Sequence, residues 1–398
     1  MQFHNPMNKL PQASKSLLAA ALGLSAFFGL APIAPAADLG AKLYKILATT
    51  QIPAAGGTDY VTADSVNRRV YVACGNVVSV FDLDTYKLVG SLANASGHGV
   101  SIDPENHTGL VSGNPAIFFN TQTLEQIKTI PAPGADGYIF DALTHHFVIL
   151  SHHAPNLLVV DSKNGSIVGT VDAIGPDGGN AFVEQGATDG EGHLYFDVAN
   201  QHHIAVVDGK TLKVTGHFDL GEKGAGPAGL AIDAKNHILF AMCRGGKGGT
   251  PTCVILSATD GKIITTLPLA GSSDGAAFNP HAMEAFSSHS NGTLSVIKEI
   301  GPTEFVLEET LQTKAGARTC TLDAKADHII VITREADPAA LASASAPAPQ
   351  TSAVTVQSSV SVPSGSPAPA ASAPQGGVGS GRAGGGGAQL LDVMFIGH

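Results

Sequence analysis

Residues Gly56–Asn94 read GGTDYVTADSVNRRVYVACGNVVSVFDLDTYKLVGSLAN. Four short apolar runs stand out: YVTA, RVYVA, VVSVFDL and KLVGSL. Turn-forming residues separate them at Asp64–Asn67, Gly75-Asn76 and Asp82–Tyr86. Short β-branched and aromatic runs bounded by Gly, Asn and Asp mark the strands of an antiparallel meander. Four such strands in about 40 residues make one propeller blade. A lone four-stranded sheet cannot bury both of its faces, so neighbouring blades are implied.

The chain supplies them. Similar units begin at Gly97, Gly134, Gly178, Gly226, Ser272 and Gly316. The residue that ends the first strand of each unit is Asp64, Asp103, Asp141, Asp189, Asp233, Asn279 or Asp323, at spacings of 39, 38, 48, 44, 46 and 44. Seven units of this length predict an all-β, seven-bladed propeller. The repeated acids read as turn caps, because a carboxylate accepts backbone N–H bonds two residues on.

The seventh unit has two strands before its character changes. Residues 338–387 are rich in Ala, Ser, Pro and Gly and carry one charged residue, Arg382. That composition buries too little apolar surface to offset its ordering entropy, and it reads as a disordered, solvated spacer. The run QLLDVMFI at Gln389–Ile396 then supplies a third strand. Leu43–Ile52, LYKILATTQI, resembles the fourth strands and leads into the first blade. The N-terminal strand is therefore expected to complete blade seven and close the circle.

The first 36 residues carry Lys9 and Lys15, an apolar segment Leu17–Ala31, and small residues at Ala34 and Ala36. This is the pattern of a cleaved secretory leader, so a periplasmic or secreted location is expected, with no transmembrane segment in the mature chain. The 398-residue chain has 47 Gly, no Trp, 14% charged residues and a formal net charge of −11. That acidity disfavours nucleic acid as a partner. The cysteines Cys74, Cys243, Cys253 and Cys320 read as buried thiols. Cys243 and Cys253 flank one hairpin and leave a disulfide open as an alternative in an exported protein.

RRVYVA followed by VVSVFDLDTYKLVGSL, with SSDGAAFNP, FSSHSNGTLSVI and GARTCTLDAKADHIIVIT, resembles the YVTN-repeat, or YncE-like, β-propellers of bacteria. The resemblance covers Leu43–Ile332 and Gln389–His398 and implies an exported propeller with terminal strand closure. It carries no catalytic signature that could be transferred. The long low-complexity insertion and the histidine pairs depart from the usual pattern.

First strands line a propeller's central channel. Five residues before each anchor lie Asp59, His98, Asp136, Glu184, Ala228, Asp274 and Arg318, one per blade at the channel mouth. The polar members, Asp59, His98, Asp136, Glu184, Asp274 and Arg318, are the candidate ligand-binding residues. They can bind a cation or polarise water, and Arg318 can fork a carboxylate. They can equally hold neighbouring blades together. His152-His153, His202-His203 and His289 fall in second-to-third-strand connections on the same face and read as solvated loop residues. His145-His146 belongs to the opposite face. Gly245–Gly249 lacks the context of a phosphate loop and reads as a hairpin tip.

The sequence thus favours a monomeric binding or scaffold protein that takes a small molecule, peptide or protein partner at the channel mouth. A metal-assisted hydrolase or lactonase at the acidic ring is the alternative. It names no cofactor.

Overall fold

The computed structural model describes residues 43–152, 156–338 and 388–398. The expected leader and residues 339–387 of the expected spacer lie outside them, as does His153. Strand β1 (Lys45–Pro53) comes first. Blade one follows as β2 (Thr58–Asp64), β3 (Arg69–Cys74), β4 (Val77–Asp82) and β5 (Leu88–Ala93). Blade two is β6 (Gly99–Asp103), β7 (Thr108–Ser112), β8 (Ala116–Asn120) and β9 (Gln126–Ile130). Blade three is β10 (Ala135–Asp141), β11 (His146–Ser151), β12 (Asn156–Asp161) and β13 (Ile167–Asp172). Blade four is β14 (Val183–Thr188), β15 (His193–Val198), β16 (His203–Asp208) and β17 (Lys213–Asp219). Blade five is β18 (Pro227–Asp233), β19 (Ile238–Cys243), β20 (Thr252–Ser257) and β21 (Ile263–Pro268). Blade six is β22 (Ser273–Asn279), β23 (Glu284–His289), β24 (Thr293–Gly301) and β25 (Glu304–Gln312). Blade seven is β26 (Thr319–Asp323), β27 (His328–Ala336), β28 (Gln389–Gly397) and, returning from the start, β1.

The seven sheets are antiparallel, and their first strands lie side by side in a circle, β2–β6–β10–β14–β18–β22–β26 and back to β2. The chain is a seven-bladed β-propeller. Among the described residues no helix is long and apolar enough to cross a membrane.

Local chemistry builds each blade in the same way. The anchors cap the first turn: Asp64 accepts from Asn67 N at 2.9 Å, Asp189 from Glu191 N at 2.8 Å, and Asn279 from His281 N at 2.9 Å. The residue just before each second strand has positive φ, at Arg68, His107, His145, Gly192, His237, Met283 and Asp327. This left-handed residue lets a short turn reverse the chain. Several anchors also reach the adjoining blade. Asp103 takes Ser162 Oγ at 2.5 Å, and Asp323 takes Arg68 Nη1 at 2.6 Å.

The core is divided among the blade interfaces. One cluster packs Val148, Leu150 and Val159 of blade three on Val183, Phe196 and Val207 of blade four. Another packs Tyr71 and Val80 of blade one on Val100 and Phe119 of blade two. A third joins blade one to blade seven, with Val70, Val72 and Phe81 on Ile330, Leu391 and Phe395. No blade has a core of its own.

Closure follows the predicted course. β1 pairs with β28 from Lys45↔Gly397 to Pro53↔Leu390, and β28 pairs with β27 from Ile329↔Ile396 to Ala336↔Gln389. β28 is thus a central strand, and Leu391, Val393, Met394, Phe395 and Ile396 are fully buried. Tyr44, just ahead of β1, donates to Glu284 Oε2 at 2.6 Å and packs edge-on against Phe286 of blade six.

The disulfide alternative is overturned. All four cysteines are free and buried. Cys253 lies opposite Met242, and Cys243 opposite Thr252. That one-residue offset sends the two thiols to opposite faces of the sheet. Cys243 joins the core shared with blade four, and Cys253 the core shared with blade six.

Two outcomes follow for stability. Each of the five buried apolar side chains of β28 contributes roughly 1.5–3 kcal/mol, so their loss rivals the whole stability of a typical domain, about 5–15 kcal/mol. Deleting Leu390–His398 is expected to abolish the cooperative thermal transition; a truncated chain with an unchanged melt would refute the role of closure. A thiol reagent is expected to find no fast-reacting cysteine in the native protein and four after unfolding without reductant. Recovery of only two would restore the disulfide.

Candidate channel-mouth site

The structure brings the six polar ring residues together and adds two more. Asp59 lies on β2, Asp136 on β10, Glu184 on β14 and Asp274 on β22, while His98 and Arg318 directly precede β6 and β26. Ala228, on β18, adds no polar group, and its blade contributes Arg244 from the end of β19 instead. His152, just past β11, is the second addition. The reading of His152 as a solvated loop residue is therefore corrected, because it stands between two carboxylates of the ring.

The eight side chains close an alternating circle of acids and bases. His98 Nδ1 lies 3.0 Å from Asp59 Oδ2 and 3.1 Å from Asp136 Oδ1. His152 Nε2 lies 3.2 Å from Asp136 Oδ2 and 3.4 Å from Glu184 Oε2. Arg244 Nη1 lies 2.9 Å from Glu184 Oε1, and its Nε donates to Asp274 Oδ1 at 2.9 Å. Arg318 Nη1 lies 2.8 Å from Asp274 Oδ2, and Nη2 returns to Asp59 Oδ1 at 3.3 Å. Each carboxylate thus spends one oxygen on each neighbour.

The two kinds of group sit at different depths. Side-chain exposure is 46% for His98, 45% for Arg318, 34% for Arg244 and 29% for His152. It is 25% for Asp59, 14% for Glu184, 13% for Asp274 and 8% for Asp136. Every base is more exposed than every acid. The mouth presents donors, and the recessed carboxylates orient them.

Below the ring, half-buried side chains cross between blades. Tyr60 reaches from blade one to the Glu184 carbonyl at 2.9 Å and Asp136 Oδ2 at 3.3 Å. Tyr138 of blade three meets Thr62 of blade one. Gln185 of blade four accepts from Leu230 N and Ala276 N, each at 3.0 Å, and donates to Ala276 O at 3.0 Å. Gly99 makes room for this packing: a Cβ there would stand 2.0 Å from the Tyr138 ring. The site is a cup with a protein floor.

Proton affinities follow the geometry. The hydrogen bond to Asp59, aided by the charges of Asp136 and Asp59 against burial, raises His98 above the usual histidine value. Burial pulls His152 down, but Glu184, Asp136 and Asp59 together raise it. Burial raises Asp136 despite His152 and His98. Burial also works against Glu184, yet His152 and Arg244 hold it down at about 2. Burial, then the charges of Asp136, Asp59 and Glu184, push the Tyr60 phenol well up.

Among the described residues, the other histidines singled out in the sequence stand apart from the ring. His289 is fully buried between Thr293 Oγ1 at 2.9 Å and Ser287 Oγ at 3.0 Å, and burial lowers it to about 4. It is a core residue rather than a solvated one. His202 occupies a positive-φ turn position, and His203 Nδ1 lies 2.6 Å from the Gln201 carbonyl. His145 sits beside Asp103, 3.3 Å away, in a first-to-second-strand turn.

A simple count would have found both additions. Eleven residues after each anchor lie Gly75, Asn114, His152, Asn200, Arg244, Ser290 and Arg334. His152 and Arg244 fall on this second inner position, and Arg334 turns instead to Gln389. A cleft of about 440 Å³ lies elsewhere, between blades four and five beside Asp189, His193 and His237. Its carboxylate Asp189 is already committed to three backbone N–H groups and His193. The ring is the better candidate.

No family model and no curated protein matches the chain. Solved structures do. A chain of a structure described as "Crystal Structure of Mitotic Checkpoint Complex" aligns with a TM-score of 0.62 at 13% identity, over 79% of this chain and 95% of that one. A chain of the Kuenenia stuttgartiensis hydrazine synthase aligns with a TM-score of 0.59 at 13% identity, over 69% of this chain and 92% of that one. At this identity the likeness is one of fold, and propellers host many activities.

The two raised imidazoles set a pH dependence. Their stabilisation is complete below the ordinary histidine value of about 6.5 and is lost as pH climbs through the raised folded values. With a chelator present, the melting temperature is expected to fall from pH 6 to pH 8, and the fall to shrink in the His98→Gln/His152→Gln double variant. An unchanged slope would place the titrating groups outside the ring.

Proposed function

We propose that the protein is a binding propeller that holds a small anionic ligand at the channel mouth. The observation that carries this reading is the depth order of the ring, with two guanidiniums and two imidazoles outermost over four recessed carboxylates. A guanidinium has five N–H donors in a fixed fork. Arg318 commits one nitrogen to Asp274 and one to Asp59, which leaves donors on both for a carboxylate or phosphate arriving from solvent. The carboxylates hold the guanidiniums in place beforehand, which lowers the ordering cost of binding. In this reading the chain is an exported YncE-like propeller, as the repeat sequence and the leader-like N-terminus suggest, and its ligand enters from the mouth.

The test is a thermal-shift series with succinate, citrate and inorganic phosphate, set against putrescine at matched ionic strength. A ligand at one hundred times its Kd adds about 2.7 kcal/mol to stability. One or more of the anions is expected to raise the melting temperature by the few degrees this implies, and Arg318→Gln to remove the rise. A rise with putrescine alone, or one that survives Arg318→Gln, would defeat the proposal.

A further inference from the structure

The four ring carboxylates are not neutralised alike. Glu184 and Asp274 each touch a guanidinium, and Asp59 touches that of Arg318. Asp136 is only 5% exposed, yet among the described residues no Arg or Lys pairs with it. Its partners are His98 at 3.1 Å, His152 at 3.2 Å and the Tyr60 hydroxyl at 3.3 Å. A buried carboxylate without a permanent cation is costly. Its position beside two imidazoles suggests what completes it.

His98 supplies the second observation. Its Nδ1 stands between Asp59 Oδ2 at 3.0 Å and Asp136 Oδ1 at 3.1 Å. A single N–H cannot point at both oxygens, and a metal ion in place of the proton can serve all three atoms. The donor atoms of Asp59, His98 and Asp136 lie within 4.8 Å of one another. Ligands about 2.1 Å from a tetrahedral zinc ion stand about 3.4 Å apart, so the two nitrogen–oxygen spacings need to open by only about 0.4 Å.

We propose that a divalent transition cation of the zinc class binds Asp59 Oδ2, His98 Nδ1 and Asp136 Oδ1, with a fourth position open to the mouth. The imidazole favours zinc, cobalt or nickel over calcium and magnesium, which prefer oxygen alone. Arg318 meets Asp59 through Oδ1 and leaves Oδ2 for the ion. The neighbouring triad Asp136, His152 and Glu184 also clusters its donors, but Arg244 holds Glu184 at 2.9 Å, closer than the 3.3 Å at which Arg318 meets Asp59, and His152 is the less exposed imidazole. The exposure of His98 gives the ion a route in from solvent. The inference rests on the mouth being the ligand site: the cation would occupy the histidine side and the anion the arginine side, where an anion could also take the ion's open position.

Calorimetric titration of the chelator-treated full chain with zinc chloride tests this, with calcium chloride as the control. One zinc per chain is expected, with no comparable binding of calcium. His98→Gln, at the exposed rim, and Asp59→Asn, at the least buried of the four acids, are each expected to weaken zinc binding at least about tenfold, the loss that even outer partners of a metal site produce. Their melts report that they fold. Cobalt is expected to give the visible bands of a tetrahedral site. No zinc binding, or equal affinity in both folded variants, would overturn the proposal and leave charged imidazoles as the partners of Asp136. Zinc binding without any anion-induced thermal shift would sink the anion reading and leave the metal site standing; an anion shift without zinc binding would do the reverse.

Discussion

A four-stranded blade has two apolar faces and no second layer, so each blade is stable only between two neighbours. Here that requirement is met around a closed circle, where the buried side chains sit in clusters shared by adjacent blades. The circle has one seam. It lies inside blade seven, where β1 pairs with β28 over Lys45↔Gly397 to Pro53↔Leu390. If that pairing fails, the core between blades one and seven opens, and with it the fixed spacing of the first strands on which the ring of charges depends.

The same geometry explains why the charges alternate. Seven first strands converge, and they bring Asp59, Asp136, Glu184 and Asp274 onto one small circle. Four carboxylates so close would repel strongly in a partly buried place. The chain separates them with His98, His152, Arg244 and Arg318, two of which directly follow the second strand of their blade. With the imidazoles neutral the ring has four negative and two positive charges, and with them protonated it is balanced. The arginine side is permanently neutralised, and the histidine side depends on what it binds.

Much of the fold was legible because its signals are local. Asp64, Asp103 and their equivalents bond to backbone two and three residues on, so a turn announces itself within the turn. The mouth positions were legible because the first strands share one length between mouth and turn, and a fixed offset found Asp59 through Arg318. His152 and Arg244 escaped that offset because each follows the second strand of its blade, where the count from the first-strand mouth does not reach. The disulfide question turned on a register of one residue between β19 and β20, which alternating apolar strands on either side of a glycine-rich turn leave undetermined. His289 read as a loop residue because the sequence puts it in the second-to-third-strand connection, whereas it ends β23 and both of its nitrogens find hydroxyls within its own blade.

The floor formed by Tyr60, Tyr138 and Gln185 has a kinetic meaning. Because these side chains cross between blades just beneath the charges, the mouth is the side from which the ring is approached. A large molecule settling over that face would then slow the exit of an occupant rather than compete with it. Residence time at the mouth can therefore be set by a cover as well as by affinity, a control that a channel open at both ends would not permit.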